Sequence, residues 1–218
     1  MDDSSIDQCV LAALQRRIER LYDLPPAPVV TRFLCDAEAA EAVGADPGRG
    51  EVLLVAEEEE GVSIGLYVQP DALAHLTSNE DVLDEGRFDA YCLAAEGVSH
   101  FIYLAFRHEQ TRSVSELELE LQGEVDKYAS ALLEGNGVGA IRERSRAIRE
   151  RLYENAELAD GPETEEGVRY RRAIAAAARY TEGLERRHLD RGAIGELVSE
   201  LRRFYRLSMR EKMALISR

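Results

Sequence analysis

Lysine is almost absent from this sequence, and basic residues of either kind are in the minority. The 218 residues include 27 lysines and arginines, against 42 aspartates and glutamates, which gives a formal net charge of −15. Only Lys127 and Lys212 are lysines, a scarcity that indicates coding bias rather than a need for guanidinium groups. Because phosphate binding depends on clustered basic side chains, this balance excludes a general basic surface for wrapping nucleic acid.

Long apolar runs and paired cysteines are also missing. No segment approaches the roughly 18 to 20 uncharged apolar residues that cross a bilayer, and the first residues, MDDSSIDQ, are acidic where a signal peptide is basic. The three cysteines, Cys9, Cys35 and Cys92, lack the spacing of metal ligands. These features predict a soluble, reduced, cytoplasmic protein without a membrane anchor.

The charge is divided unevenly along the chain. Residues 1–136 carry 9 basic and 28 acidic side chains, whereas residues 137–218 carry 18 basic and 14 acidic ones. The change falls at the glycine-rich stretch 135–139, a composition typical of a linker. We therefore predict an acidic α/β region over 1–136 and an arginine-rich helical region over 137–218.

Hydrophobic periodicity predicts an α+β fold that is mostly helical. A small three-stranded sheet is expected near the N-terminus, from the β-branched and alternating runs Val29–Cys35, Glu51–Ala56 and Val62–Val68. Spacing of three and four between apolar residues predicts an earlier helix, Ile6–Tyr22, and two short ones, Asp36–Val43 and Pro70–Leu76. About five further helices are expected over Arg87–Arg107, Val114–Leu133, Ala140–Leu158, Glu165–Leu189 and Ala193–Leu215.

The first of those five helices carries a narrow polar stripe on an otherwise apolar surface. On a helical wheel the stripe spans about 60°, and its members are Asp89, Glu96, His100, Tyr103 and Arg107. Glu96 and His100 are four apart, so both can reach one ligand. Between them, Gly97 lowers helix propensity by about 1 kcal/mol relative to alanine, which favours a close packing contact beside the stripe.

The next helix contributes two glutamates at the edge of its apolar face, Glu120 and Glu124. An antiparallel helix pair would bring three carboxylates and one imidazole together, a set that suits Zn²⁺, Fe²⁺ or Mn²⁺. Asp89, Tyr103 and Arg107 would then surround the ligands. The alternative is an ordinary solvent-facing stripe in which Glu96 and His100 form a local pair worth a few tenths of a kcal/mol.

The order of elements over residues 29–126 resembles the minimal zincin metallopeptidase domain of the gluzincin type. In that family a helix carries His-Glu-x-x-His and a following helix supplies a glutamate ligand. Here His100 matches the second histidine, and Glu120 or Glu124 the glutamate. Glu96 stands where the first histidine belongs, and Gly97 replaces the glutamate that activates the zinc-bound water. The resemblance implies a degenerate, non-proteolytic relative.

Three functional hypotheses remain from the sequence. The first is a non-catalytic binding or regulatory protein, with homo-oligomer formation or a protein partner served by its apolar helices. The second is a metal-binding protein or metal-dependent hydrolase that uses the Glu/His cluster. The third is nucleic-acid or partner binding by the arginine-rich C-terminal helices, although docking onto the chain's own acidic part is favoured over nucleic acid.

Overall fold

The computed structural model describes residues 3–58, 61–76, 81–84, 86–134, 141–154 and 163–217. Within these ranges the protein is mostly helical with one small antiparallel sheet, as the α+β prediction states. The strands are β1 (Glu51–Glu58) and β2 (Gly61–Val68). The α-helices are α1 (Asp3–Tyr22), α2 (Ala37–Ala42), α3 (Pro70–His75), α4 (Arg87–Glu109), α5 (Glu116–Glu134), α6 (Ile141–Arg149), α7 (Glu165–Arg187), α8 (Ile194–Arg206) and α9 (Met209–Ile216).

The sheet among the described residues has two strands, and the predicted third strand, Val29–Cys35, is wrong. That segment forms a 3-10 turn over Val30–Arg32 and then a single parallel bridge between Leu34 and Leu66. The side chain of Gln15 explains the difference, because its Oε1 accepts a hydrogen bond from the backbone N–H of Val30 at 2.8 Å. The N–H of Val30 is therefore not available to donate a hydrogen bond to a neighbouring strand.

The other two predicted strands are confirmed, and they pair as an antiparallel hairpin. Glu51 pairs with Val68 and Glu58 with Gly61 in an antiparallel register. The first strand ends at Glu58 and the second begins at Gly61, so both are longer than predicted; residues 59 and 60 lie outside the described residues.

The chain divides into two compact units. The first comprises Met1–Glu19 and Pro25–Arg112, and the second comprises Arg20–Leu24 and Ser113–Arg218. These bounds follow packing and differ from the charge boundary at residues 136 and 137. Independent folding of the regions 1–136 and 137–218 stays a prediction.

In the first unit, α4 packs against α3 and against both strands. Its apolar residues form the core of this unit, and the rings of Phe33 and Phe101 lie 4.9 Å apart. The residues of α4 that are buried include Phe88, Tyr91, Val98, Phe101 and Ile102. This burial on several sides is the reason that the polar stripe of α4 is so narrow.

In the second unit, α5 packs against α6 and α7. The alternating run Glu116–Leu121 would also fit a strand, but the structure forms the predicted helix. Every residue of α5 from 120 to 132 is buried, including the large apolar and aromatic side chains of Leu121, Val125, Tyr128 and Leu132.

The C-terminal half contains more breaks than the five predicted helices allow. Ala193–Leu215 is two helices, α8 and α9, because Ser208 and Glu211 form a capping box: the Glu211 carboxylate accepts a hydrogen bond from the Ser208 N–H at 2.9 Å. The predicted helix Ala140–Leu158 is α6 followed by a π-helical turn over Glu150–Glu154, and its residues 140 and 155–158 lie outside the described residues.

Candidate functional site

Helix α4 places the two central residues of the predicted site one turn apart on the same face. A side-chain oxygen of Glu96 and a ring nitrogen of His100 lie within 4.8 Å of each other. His100 is buried, with 5% of its surface exposed, and Glu96 is half-buried. The stripe is therefore not an ordinary solvent face at this point, because an imidazole there has little access to water.

A third polar group approaches His100 from the sheet. Oε1 of Glu51, the first residue of β1, lies 3.9 Å from Nδ1 of His100. Both side chains are largely withdrawn from solvent: 11% of the side-chain surface of Glu51 is exposed, and 7% of the side-chain surface of His100. Glu51, Glu96 and His100 are called the α4 cluster below.

The glycine between the two α4 residues makes room for Glu51. A Cβ atom at Gly97 would lie 2.8 Å from Cγ of Glu51 and 2.8 Å from Cδ1 of Leu66, distances that real Cβ atoms do not reach. The close packing contact that Gly97 predicts is thus present. It was the available sequence signal that something lies against the stripe, although it did not identify Glu51 as the neighbour.

The backbone on the sheet side holds Glu51 at a defined place. Gly50 adopts φ = +85°, a left-handed conformation that glycine reaches without strain, and it turns the chain into β1. Its carbonyl oxygen accepts a hydrogen bond from the N–H of Gln69 at 2.7 Å, which closes the open end of the hairpin. Glu51 therefore emerges from a fixed strand end rather than from a loop tip.

The α4 cluster has the donor chemistry of a transition-metal site. Carboxylate oxygens and imidazole nitrogens together bind Zn²⁺, Fe²⁺ and Mn²⁺.

The other two predicted ligands lie on α5, in the second unit, and both are buried. Glu120 is 7% exposed and Glu124 is 5% exposed. Nζ of Lys127 donates a hydrogen bond to Oε1 of Glu124 at 2.8 Å, whereas Nε of Arg169 approaches Oε1 of Glu120 only to 3.7 Å. Their part in a metal site stays a prediction.

The three residues predicted to surround the ligands differ in their surroundings. Asp89 is exposed in the first turn of α4, where its negative charge interacts favourably with the helix dipole. Tyr103 and Arg107 are both buried, and Nη2 of Arg107 donates a hydrogen bond to the Tyr103 hydroxyl at 2.5 Å. This pair forms a polar continuation of the stripe beyond His100.

The arginines at the C-terminus contact the protein's own backbone. Arg202 and Arg206 of α8 donate hydrogen bonds to the carbonyl oxygens of residues 20–23, at the end of α1, over 2.7 to 3.1 Å. They neutralise the negative end of the α1 dipole. The four bonds lie within the second unit, and docking of the arginine-rich helices onto the acidic part of the chain stays a prediction.

The chain matches no protein-family model, no curated protein and no solved structure. The resemblance to a zincin domain stays a prediction. Among the described helices, none combines the length and the apolar character that a bilayer span requires.

Proposed function

We propose that this chain is a non-catalytic binding protein whose ligand is a divalent transition-metal ion, held by Glu96 and His100. The observation that carries the proposal is the α4 cluster, in which a buried imidazole has a carboxylate one helical turn away and a second carboxylate oxygen 3.9 Å from its Nδ1.

An ordinary Glu–His pair explains this arrangement less well than a metal does. On an exposed helix face such a pair contributes a few tenths of a kcal/mol, and it needs neither burial nor a second acid. A divalent ion would accept a carboxylate oxygen of Glu96 and a ring nitrogen of neutral His100 as ligands at the same time, since the neutral imidazole is the form that coordinates metal.

Absence of turnover follows from what stands next to the proposed ligands. In a metallopeptidase a glutamate beside the ligand histidine removes a proton from the metal-bound water. When this helix is compared with the gluzincin motif, Gly97 stands where that glutamate belongs, and glycine has no side chain that could accept the proton. The proposed role is therefore to hold the ion, with regulation or structural support as its use.

Ligation by Glu120 and Glu124 stays a prediction of the sequence, since both residues belong to the second unit. Substitution of each residue alone separates the two.

The test is metal analysis of protein purified without chelator, followed by titration of the metal-free protein with Co²⁺ monitored by its visible absorption. We expect about one ion per chain, and His100→Ala and Glu96→Gln should each weaken Co²⁺ binding at least roughly tenfold, because the first removes the imidazole donor and the second removes the negative charge of the carboxylate. His75→Ala is the matched control, because His75 is an exposed histidine on α3 of the same unit.

Two results would contradict the proposal. One is wild-type protein that contains no metal and has the same melting temperature in Co²⁺ and in chelator. The other is a His100→Ala variant that binds Co²⁺ as tightly as His75→Ala does.

A further inference from the structure

The geometry points to Glu51 as the positioning residue of this site: its carboxylate fixes the orientation and tautomer of His100, so that Nε2 is the nitrogen that faces the metal. This inference rests on the proposed function. Glu51 belongs to neither α4 nor α5 and was not among the residues that the sequence singled out.

The two ring nitrogens of His100 are placed in different surroundings. Nδ1 is the nitrogen that lies 3.9 Å from Oε1 of Glu51. A carboxylate there stabilises the tautomer that carries its proton on Nδ1, and the lone pair is then on Nε2. Histidines that bind metals usually donate their second ring N–H to a carboxylate, a carbonyl or water, which orients the ring and raises the basicity of the coordinating nitrogen.

The distance of 3.9 Å is longer than a formed hydrogen bond, so the contact is an electrostatic approach of the carboxylate to Nδ1. Gly97 has no side chain and so leaves the space beside α4 that the Glu51 side chain occupies. The backbone of Glu51 is held in place by its pairing with Val68 and by the hydrogen bond from Gln69 to Gly50.

The position of Glu51 also gives Gly97 a function in the site. Any side chain at 97 would push Cγ of Glu51 and Cδ1 of Leu66 away from the helix. The helix therefore accepts a residue of low helix propensity at this place, and the carboxylate gains access to His100.

The experiment compares Glu51→Ala and Glu51→Gln with Glu38→Ala, a control on an exposed glutamate of α2. We expect Glu51→Ala to weaken Co²⁺ binding roughly 10- to 100-fold, the range seen when a residue that orients a ligand is removed. Glu51→Gln keeps an oxygen that can accept from Nδ1–H and should lose less. Glu38→Ala should bind as the wild type does.

A second measurement reports the orientation of His100 directly. Nitrogen-15 NMR of the imidazole in metal-free protein distinguishes the two neutral tautomers. We expect His100 to carry its proton on Nδ1 in the wild type and to shift toward the Nε2–H form in Glu51→Ala. A variant that merely destabilises the fold would not exchange the tautomers.

The outcomes separate this inference from the proposed function. Wild-type protein that binds no Co²⁺ would defeat the proposed function, and the tautomer of His100 would still decide the role of Glu51. Wild-type protein that binds Co²⁺, with Glu51→Ala equal to it in affinity and in tautomer, would overturn the inference alone. If Glu51→Ala fails to fold, Glu51→Val takes its place, because valine favours a strand and likewise offers no acceptor to Nδ1–H. An unchanged tautomer and affinity in that variant would overturn the inference in the same way.

Discussion

Lys212 is a fully buried lysine on α9, and it ends a chain of polar contacts through the second unit. Its Nζ donates a hydrogen bond to Oε1 of Gln122 at 2.7 Å and lies 5.2 Å from the ring centroid of Phe204. Nε2 of Gln122 donates in turn to Oδ1 of Asp126, which also accepts from the hydroxyl of Tyr22. The network compensates the buried carboxylate of Asp126 through Gln122.

We therefore expect Lys212→Ala to lower the free energy of unfolding by about 2–4 kcal/mol, because it removes a hydrogen-bond donor from a buried network and leaves a space. Urea unfolding followed by circular dichroism measures the change. Arg210→Ala is the control, since Arg210 is exposed on the same helix and its loss should stay within about 0.5 kcal/mol. Equal stability of the two variants would show that the network contributes nothing.

At the residue level, the sequence was sufficient for Glu96 and His100 but not for Glu51. Glu96 and His100 share one helix, so their proximity follows from a spacing of four. Glu51 reaches the same place only because the hairpin packs on α4, a contact between residues far apart in the chain. Local periodicity contains no information on such a contact, and Gly97 gave the only hint of it.

The contact between the end of α7 and helix α8 contains a carboxylate whose protonation should weaken the folded protein at acidic pH. Glu200 of α8 lies 2.6 Å from Nε2 of His188 and accepts a hydrogen bond from Nη2 of Arg187 at 2.6 Å. Burial acts to raise the pKa of Glu200, but the hydrogen bonds from Arg187 and His188 together outweigh it, so the pKa lies below its usual value.

A lowered folded-state pKa gives stability that is present above the unfolded-state pKa and is lost as the pH falls through the folded-state value. We expect Glu200→Gln to destabilise the protein at neutral pH and to reduce the loss of stability between neutral and acidic pH. Melting temperatures measured across that range test this. Glu182→Gln, on an exposed glutamate of α7, should leave the profile as in the wild type, and parallel profiles for Glu200→Gln and the wild type would contradict the assignment.

At the scale of elements, helices with their own periodicity were predictable and the breaks were not. α4 and α5 begin and end close to their predicted bounds because their apolar spacing is continuous. The separation of α8 from α9 depends on a capping box at Ser208 in the middle of a periodic run. The predicted third strand is missing because the side chain of Gln15, on α1, accepts the hydrogen bond of the Val30 N–H. Gln15 is 15 residues away from Val30 in the sequence, so the local pattern does not reveal this contact.

At the scale of the whole molecule, the charge division and the compact units describe different things. Residues from the acidic part and the basic part of the sequence belong together in the second unit, where Nη1 of Arg169 on α7 lies 2.6 Å from Oε2 of Glu116 on α5. Residues 20–24 belong to the same unit, and Tyr22 stacks on Tyr205 with ring centroids 4.2 Å apart. Composition showed that two regions differ, but it could not show which residues pack together.

This organisation predicts how fragments behave. The fragment 137–218 lacks α5, which packs against α6 and α7 and supplies the buried core of the second unit. We expect it to unfold without a cooperative transition, and fragment 113–218 to be more structured yet less stable than the full chain, because it still lacks Tyr22. Thermal unfolding by circular dichroism compares the three; a cooperative transition of 137–218 at the temperature of 113–218 would contradict the division.

The burial of both lysines has a practical consequence. Lys127 is 7% exposed and Lys212 is 0% exposed, and the chain has no other lysine. The folded surface is thus nearly devoid of ε-amino groups, although it carries many guanidinium groups. Amine-directed cross-linkers and dyes should label the side chains of the native protein poorly, and enzymes that attach acetyl groups or ubiquitin to lysine should find no accessible acceptor until the second unit opens. Reactivity of these two amines is therefore a built-in reporter of unfolding.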